Sequence, residues 1–187
     1  MNNKSAIEKL QEAWQLATLL HSGQTYGSPN KGERIEYINH IGSVVFEVSH
    51  AFKHESMPQE ELGILCAVLH DTIEDTEATF ESIRDQFGNE VAAGVLALTK
   101  NEELETKELQ MMDSLERIKK QPQEVWVVKM ADRICNLYAP PHYWNNEKKE
   151  KYIDEALLIH SHLKDGNAYL AQRLLEKIER YNEFIVR

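Results

Sequence analysis

Glycine and proline are scarce in this chain of 187 residues, at 8 and 5. With so few turn-formers, long helices with short connections fit better than many short strands. Cysteine is scarcer still. Cys66 and Cys135 both fall inside apolar helical patterns, form no spaced metal motif, and read as buried thiols of a reducing compartment. No stretch approaches the roughly 18 apolar residues that a membrane crossing needs, so no membrane partner is expected. The opening MNNKSAIEKLQEAW has a polar start and no apolar core of a signal peptide, which makes the cytoplasm the expected location. A Lys/Arg-rich block is also missing, and the net charge is −10. Nucleic acid is therefore disfavoured as a partner. A small anionic nucleotide is still bindable where a divalent metal and a few Lys/Arg residues line a cleft.

What is present is an ordinary globular balance, 42% hydrophobic and 28% charged. The length suits one domain with a sizeable core and is short for two, so residues 1–187 are expected to form a single all-α bundle of roughly eight to ten helices. Ile7, Leu10, Trp14 and Ala17 recur at helical spacing, with Ser5 and Glu8 placed as a capping box. The segment SGQTYGSPNKGERIE follows, the longest irregular stretch, of the kind often used as a functional rim. Helices are then expected over about 37–53, from Pro58 through Leu62, Leu65, Cys66 and Leu69 to His70 and Asp71, and from Thr79 to a stop at Gly88. Others carry Val91 to Leu98, the charged 102–120 segment, and Pro122 to Asn136. APPHYW at 139–144 breaks the last of these, and two helices near 147–163 and 167–184 complete the chain. No period-two strand is expected.

The chemistry concentrates in LCAVLHDTIEDTEATF, residues 65–80, where an apolar helix runs into His70 and Asp71, with Glu74 and Asp75 just beyond. A buried imidazole beside a buried carboxylate is costly unless both are paired or bind a metal. A His favoured by the helix dipole, followed by a solvated acidic turn, is the plainer alternative. Lys129, Asp132, Arg133 and Asn136 are spaced by three and four, forming one polar strip on an otherwise apolar helix. They read either as an internal salt bridge of Asp132 with Lys129 or Arg133, or as a carboxylate ligand flanked by phosphate-binding cations. His40 lies in the first turn of its helix. His40, His70, Asp71 and Asp132 together offer two imidazoles and two carboxylates, a set suited to manganese, iron or zinc and to hydrolysis.

The order H…HD…D, with HSGQ (21–24), YINHIGSV (37–44), LGILCAVLHDTIEDTEATFESIRDQFG (62–88), VLALTK (95–100) and VVKMADRICNL (127–137), resembles the HD superfamily of metal-dependent phosphohydrolases. More narrowly it is similar to the hydrolase domain of the RelA/SpoT group and to stand-alone small alarmone hydrolases. The resemblance covers most of the chain. It implies His40, His70, Asp71 and Asp132 as ligands of a metal, usually manganese. It implies Glu74 and Asp75 as the acidic pair that handles protons, and Asn136 on the nucleotide side. The implied reaction removes pyrophosphate from the 3′ position of guanosine tetra- or pentaphosphate (ppGpp, pppGpp).

The chain departs from that pattern in one place. Thr25 and Tyr26 follow Gln24 where the family has a basic residue, and GSPNKGERIE intervenes before Tyr37. Lys31 and Arg34 are the candidate replacements, with Lys100, Lys129 and Arg133 as candidate phosphate contacts, and Tyr152 as a ligand contact or packing residue. Another nucleotide or phosphoester, or a non-catalytic sensor on the same fold, stays as an alternative. The oligomeric state is left open. His50, His54, His142, His160, His162, Trp126, Tyr143 and Trp144 read as surface or packing residues.

Overall fold

The computed structural model describes residues 5–185. Ten α-helices are found among them: α1 (Ala6–Leu20), α2 (Ile38–His54), α3 (Glu60–Leu69), α4 (Thr72–Asp75), α5 (Phe80–Phe87), α6 (Asn89–Leu98), α7 (Lys107–Ile118), α8 (Gln123–Asn136), α9 (Asn146–Leu163) and α10 (Ala168–Tyr181). The capping signals of the sequence are realised at the starts of α1 and α5 and at the end of α5. Ser5 and Glu8 close a capping box on α1, Thr79 accepts from the Ser82 amide at the start of α5, and Gly88 ends α5 with φ +94°.

The core is organised on α3 and α8. From Leu62 onward only Ile64 of α3 escapes full burial. On α8, Trp126 is the one residue between Glu124 and Cys135 that is not buried. Each fully buried aliphatic side chain contributes about 1.5–3 kcal/mol, so these two helices set the frame. α2 packs against both, and α6, α9 and α10 close the outside. The approach of α6 to α3 depends on Gly94, where a Cβ would lie 2.7 Å from Cys66 Sγ. Both cysteines are buried free thiols, and burial pushes Cys66 up to about 12.

Several expectations change. The 23–36 segment is not wholly irregular: β1 (Thr25–Gly27) pairs antiparallel with β2 (Arg34–Glu36), Tyr26 opposite Ile35. Three-residue strands carry too little alternation to read from sequence. Pro58 lies in a turn before α3 rather than in its first turn, and the 102–120 helix begins only at Lys107, behind its Thr106 cap. On α1, Ala13 and Ala17 are buried while Ile7 is exposed, so the inward stripe is narrower than its apolar spacing suggested.

Candidate active site

Three elements deliver the central residues. His70 caps the C-terminal end of α3 and Asp71 follows it, His40 stands in the first turn of α2, and Asp132 lies on α8. Among the described residues, His40, His70 and Asp132 each bring a ligand atom within 4.8 Å of the others'. His40 Nε2 lies 3.3 Å from Asp132 Oδ1. Asp71 adjoins this trio, its Oδ2 3.0 Å from His70 Nε2 and 3.9 Å from His40 Nε2.

The donor set fits a divalent cation. His70 Nδ1 lies 2.9 Å from the Ala67 carbonyl, which can only accept, so Nδ1 carries a proton and Nε2 is the nitrogen turned to the carboxylates, where a cation would take the place of its proton. That Nε2 is buried and has no hydrogen-bond partner among the described residues. Burial opposes charge on His70, but the Asp71 and Asp132 carboxylates outweigh it and raise its pKa to about 9. Burial would likewise raise both carboxyls, yet His70 holds Asp71, and Lys129 with the histidines holds Asp132, well below the usual range. The pocket thus draws positive charge.

The surrounding residues fix these side chains. Asn136 Nδ2 donates to Asp132 Oδ1 at 2.6 Å, and Lys129 Nζ lies 3.3 Å from Asp132 Oδ2. The Tyr37 hydroxyl donates to Asp71 Oδ2; burial and the Asp71 charge keep that phenol protonated far above its ordinary range. Tyr37 opens YINHIGSV, and the pattern alone assigns it no role. Its place three residues before His40 at a helix start was the available signal.

Glu74 and Asp75, in α4, differ in setting. Glu74 accepts from Lys100 Nζ at 2.5 Å and from the Lys100 amide at 2.8 Å. Asp75 is exposed, and its carboxylate has no hydrogen bond among the described residues. Its carboxyl borders the cleft, where partial desolvation, then the Asp71 and Glu74 charges, push its pKa upward.

Two cavities flank the trio. One, of about 880 Å³, lies between the β1–β2 hairpin and the 138–144 loop and includes Arg34, His40 and Asn136 in its wall. The other, of about 760 Å³, is bordered by Asp71, Glu74, Asp75, Lys100, Lys129, Asp132 and Arg133, with Lys107 and Lys151 at its rim. Tyr37, Asn136, Lys148 and Tyr152 border both, so they are two lobes of one cleft. Lys31 is exposed and lines neither. Arg34 donates across the hairpin to Thr25 Oγ1 at 3.1 Å. Arg133 pairs with Glu155 at 2.8 Å and lies over the Tyr152 ring at 5.0 Å.

The family model described as "HD domain" matches residues 13–167. The chain belongs to the HD-domain family. This HD-domain chain is 30% identical over 172 residues to the guanosine-3′,5′-bis(diphosphate) 3′-pyrophosphohydrolase MESH1 of Drosophila melanogaster, spanning 90% of this chain and 92% of that one. It is 30% identical over 160 residues to the guanosine-3′,5′-bis(diphosphate) 3′-pyrophosphohydrolase of Aquifex aeolicus, covering 83% of this chain and 21% of that one. Among solved structures it is similar to one described as a metazoan ortholog of SpoT that hydrolyses ppGpp and plays a role in starvation responses. The TM-score there is 0.77 at 29% identity, over 99% of this chain and all of the other.

Proposed function

We propose that this protein, residues 1–187 acting as one HD-type domain, removes the 3′-pyrophosphate of ppGpp and pppGpp with manganese held by His40, His70, Asp71 and Asp132. The observation that carries the reading is the buried, unpartnered Nε2 of His70 facing two carboxylates, in a chain that aligns over 90% of its length with a MESH1 protein. When bound, the metal supplies positive charge at a phosphoryl oxygen and lowers the pKa of water near it.

The chain's own groups do the rest. Asp75 takes the proton from the attacking water or returns one to the departing 3′ oxygen. Glu74, held by Lys100, sets the turn on which Asp75 stands and keeps the Lys100 cation at the wall of the charged lobe. Lys129 keeps Asp132 ionised from behind, while Arg133 and Lys100 offset charge that develops on the phosphates. The pyrophosphate end lies in the charged lobe. The nucleoside lies in the hairpin lobe, against Asn136 and Arg34. Of the two hairpin cations, Arg34 lines that lobe and Lys31 does not, so Arg34 takes the place of the basic residue missing after HSGQ.

The hairpin also favours a second reading, the same chemistry on another nucleotide. The deciding experiment is a turnover screen of the manganese-loaded protein against ppGpp, other nucleotides and simple phosphoesters, with products identified. Pyrophosphate and GDP from ppGpp are expected. Turnover of a different nucleotide with none of ppGpp would replace the substrate, and no turnover of any would overturn the reading.

A further inference from the structure

His21 and Gln24 lie outside the ligand set and the acidic pair, yet both are tied to them. His21 caps the C-terminus of α1, its amide donating to the Ala17 carbonyl. Gly23, with φ +77°, then turns the chain back, a conformation that favours glycine, and the Gln24 amide donates to the His21 carbonyl at 3.1 Å. This brings three contacts together on Gln24. Its carbonyl accepts from the Tyr37 amide at 2.9 Å, closing the root of the hairpin. Its Nε2 donates to the Asp75 carbonyl at 2.8 Å, and its Oε1 lies 2.7 Å from His21 Nδ1.

The proton assignment follows from what each group can do. A carbonyl only accepts, so the Asp75 oxygen must face the Gln24 NH₂. Oε1 is then turned to His21, whose Nδ1 must be the donor. His21 is 2% exposed, its ring centroid lies 5.1 Å from that of Tyr37, and its Nε2 has no partner among the described residues. The imidazole thus fixes the Gln24 amide through its Nδ1–H.

The recipient is a helix that cannot orient itself. α4 has four residues, too short to be stable alone, and the Asp75 carbonyl is one of the carbonyls that such a helix end leaves unsatisfied. Glu74 is anchored on one side by Lys100. Asp75, whose carboxylate has no hydrogen bond among the described residues, is anchored through its backbone by Gln24.

We infer that His21 and Gln24 are positioning residues: a strut from the end of α1, the buried His21 ring behind a half-buried Gln24, that holds the backbone of Asp75, and so aims its carboxylate, for the hydrolysis proposed above. The inference rests on that functional reading for its effect on turnover but not for its effect on the α4 backbone.

The test compares manganese-loaded wild type with Gln24→Leu, Gln24→Glu, His21→Phe and His21→Asn. It measures kcat and KM on ppGpp, metal content, and hydrogen–deuterium exchange over residues 72–78. Gln24→Glu keeps the shape of the side chain but has no donor for the Asp75 carbonyl, so it serves if Gln24→Leu fails to fold. Misplacement of a reacting group by an ångström can cost about 100-fold, so both Gln24 variants are expected to lose about 10- to 100-fold in kcat. KM and metal content stay near wild type, and exchange rises over 72–78 but not over α8. His21→Phe lies in the same direction, and His21→Asn, whose amide can still donate to Gln24, recovers most of the loss. Unchanged exchange over 72–78 in the Gln24 variants overturns the strut. So does loss of metal or a general rise in exchange, which would mark a merely structural role. If wild type turns over no ppGpp, the functional reading fails, and the exchange data still decide whether the strut exists.

Discussion

At His70 the Nδ1 proton is committed to the Ala67 carbonyl, so Nε2 alone is left to meet the carboxylates. His70→Ala and Asp132→Ala are therefore expected to strip the protein of metal, read by elemental analysis after gel filtration; full retention in both would remove the assignment. Asp132→Ala has a second effect. It leaves Lys129, 7% exposed, without its carboxylate, and breaking a buried pair in this way costs about 3–5 kcal/mol. A melting temperature lower than that of His70→Ala is the expected sign. The acidic pair separates differently. Asp75→Asn is expected to keep metal and lose about 10²–10⁴-fold in turnover, as for a general acid–base group, and Glu74→Gln to keep metal and lose most turnover by weakening the hold on Lys100 and the α4 turn. Wild-type rates in both would reduce the pair to a solvated turn.

At the scale of elements, the site was legible where a residue's own helix carried the signal. LCAVLHD reads as an apolar helix that ends on two groups no core wants unpaired, and VVKMADRICNL as a polar strip on a buried helix; α3 and α8 are those helices. What could not be read depends on contacts distant in the chain. The β1–β2 hairpin has three-residue strands, and the Gln24–Asp75 bond joins residues 51 apart. The division between Glu74 and Asp75 also needed the position of Lys100, 26 residues away. The hairpin rests on the 138–144 loop at Gly27, where a Cβ would lie 2.6 Å from the Tyr143 hydroxyl and 3.1 Å from Pro141. Gly27→Val should lift the hairpin from that loop, and Arg34→Ala should remove its cation from the lobe. Both are expected to change relative kcat/KM among nucleotides with metal content unchanged, whereas Lys31→Ala should change nothing. A flat substrate profile in Gly27→Val and Arg34→Ala would make the hairpin a surface insertion.

For the molecule as a whole, the proposed ligands come from the ends or middle of α2, α3 and α8, the helices around which the core is built. A metal there binds the folded state and not the unfolded one, adding about 2.7 kcal/mol at a free concentration 100 times its Kd. At 2–4 °C per kcal/mol for a chain of this size, chelation should lower the melting temperature by about 5–10 °C. No shift would mean that the ligands are not joined by an ion. The two lobes that meet along Tyr37, Asn136, Lys148 and Tyr152 have a kinetic consequence of their own. A substrate laid across that seam, as proposed above, leaves its two pieces in different lobes, each open to solvent. Neither product then has to wait for the other, and release has no obligatory order. In double-inhibition kinetics, pyrophosphate and GDP should occupy the enzyme together and give intersecting lines; parallel lines, the mark of mutually exclusive binding, would show that the two products compete for one lobe.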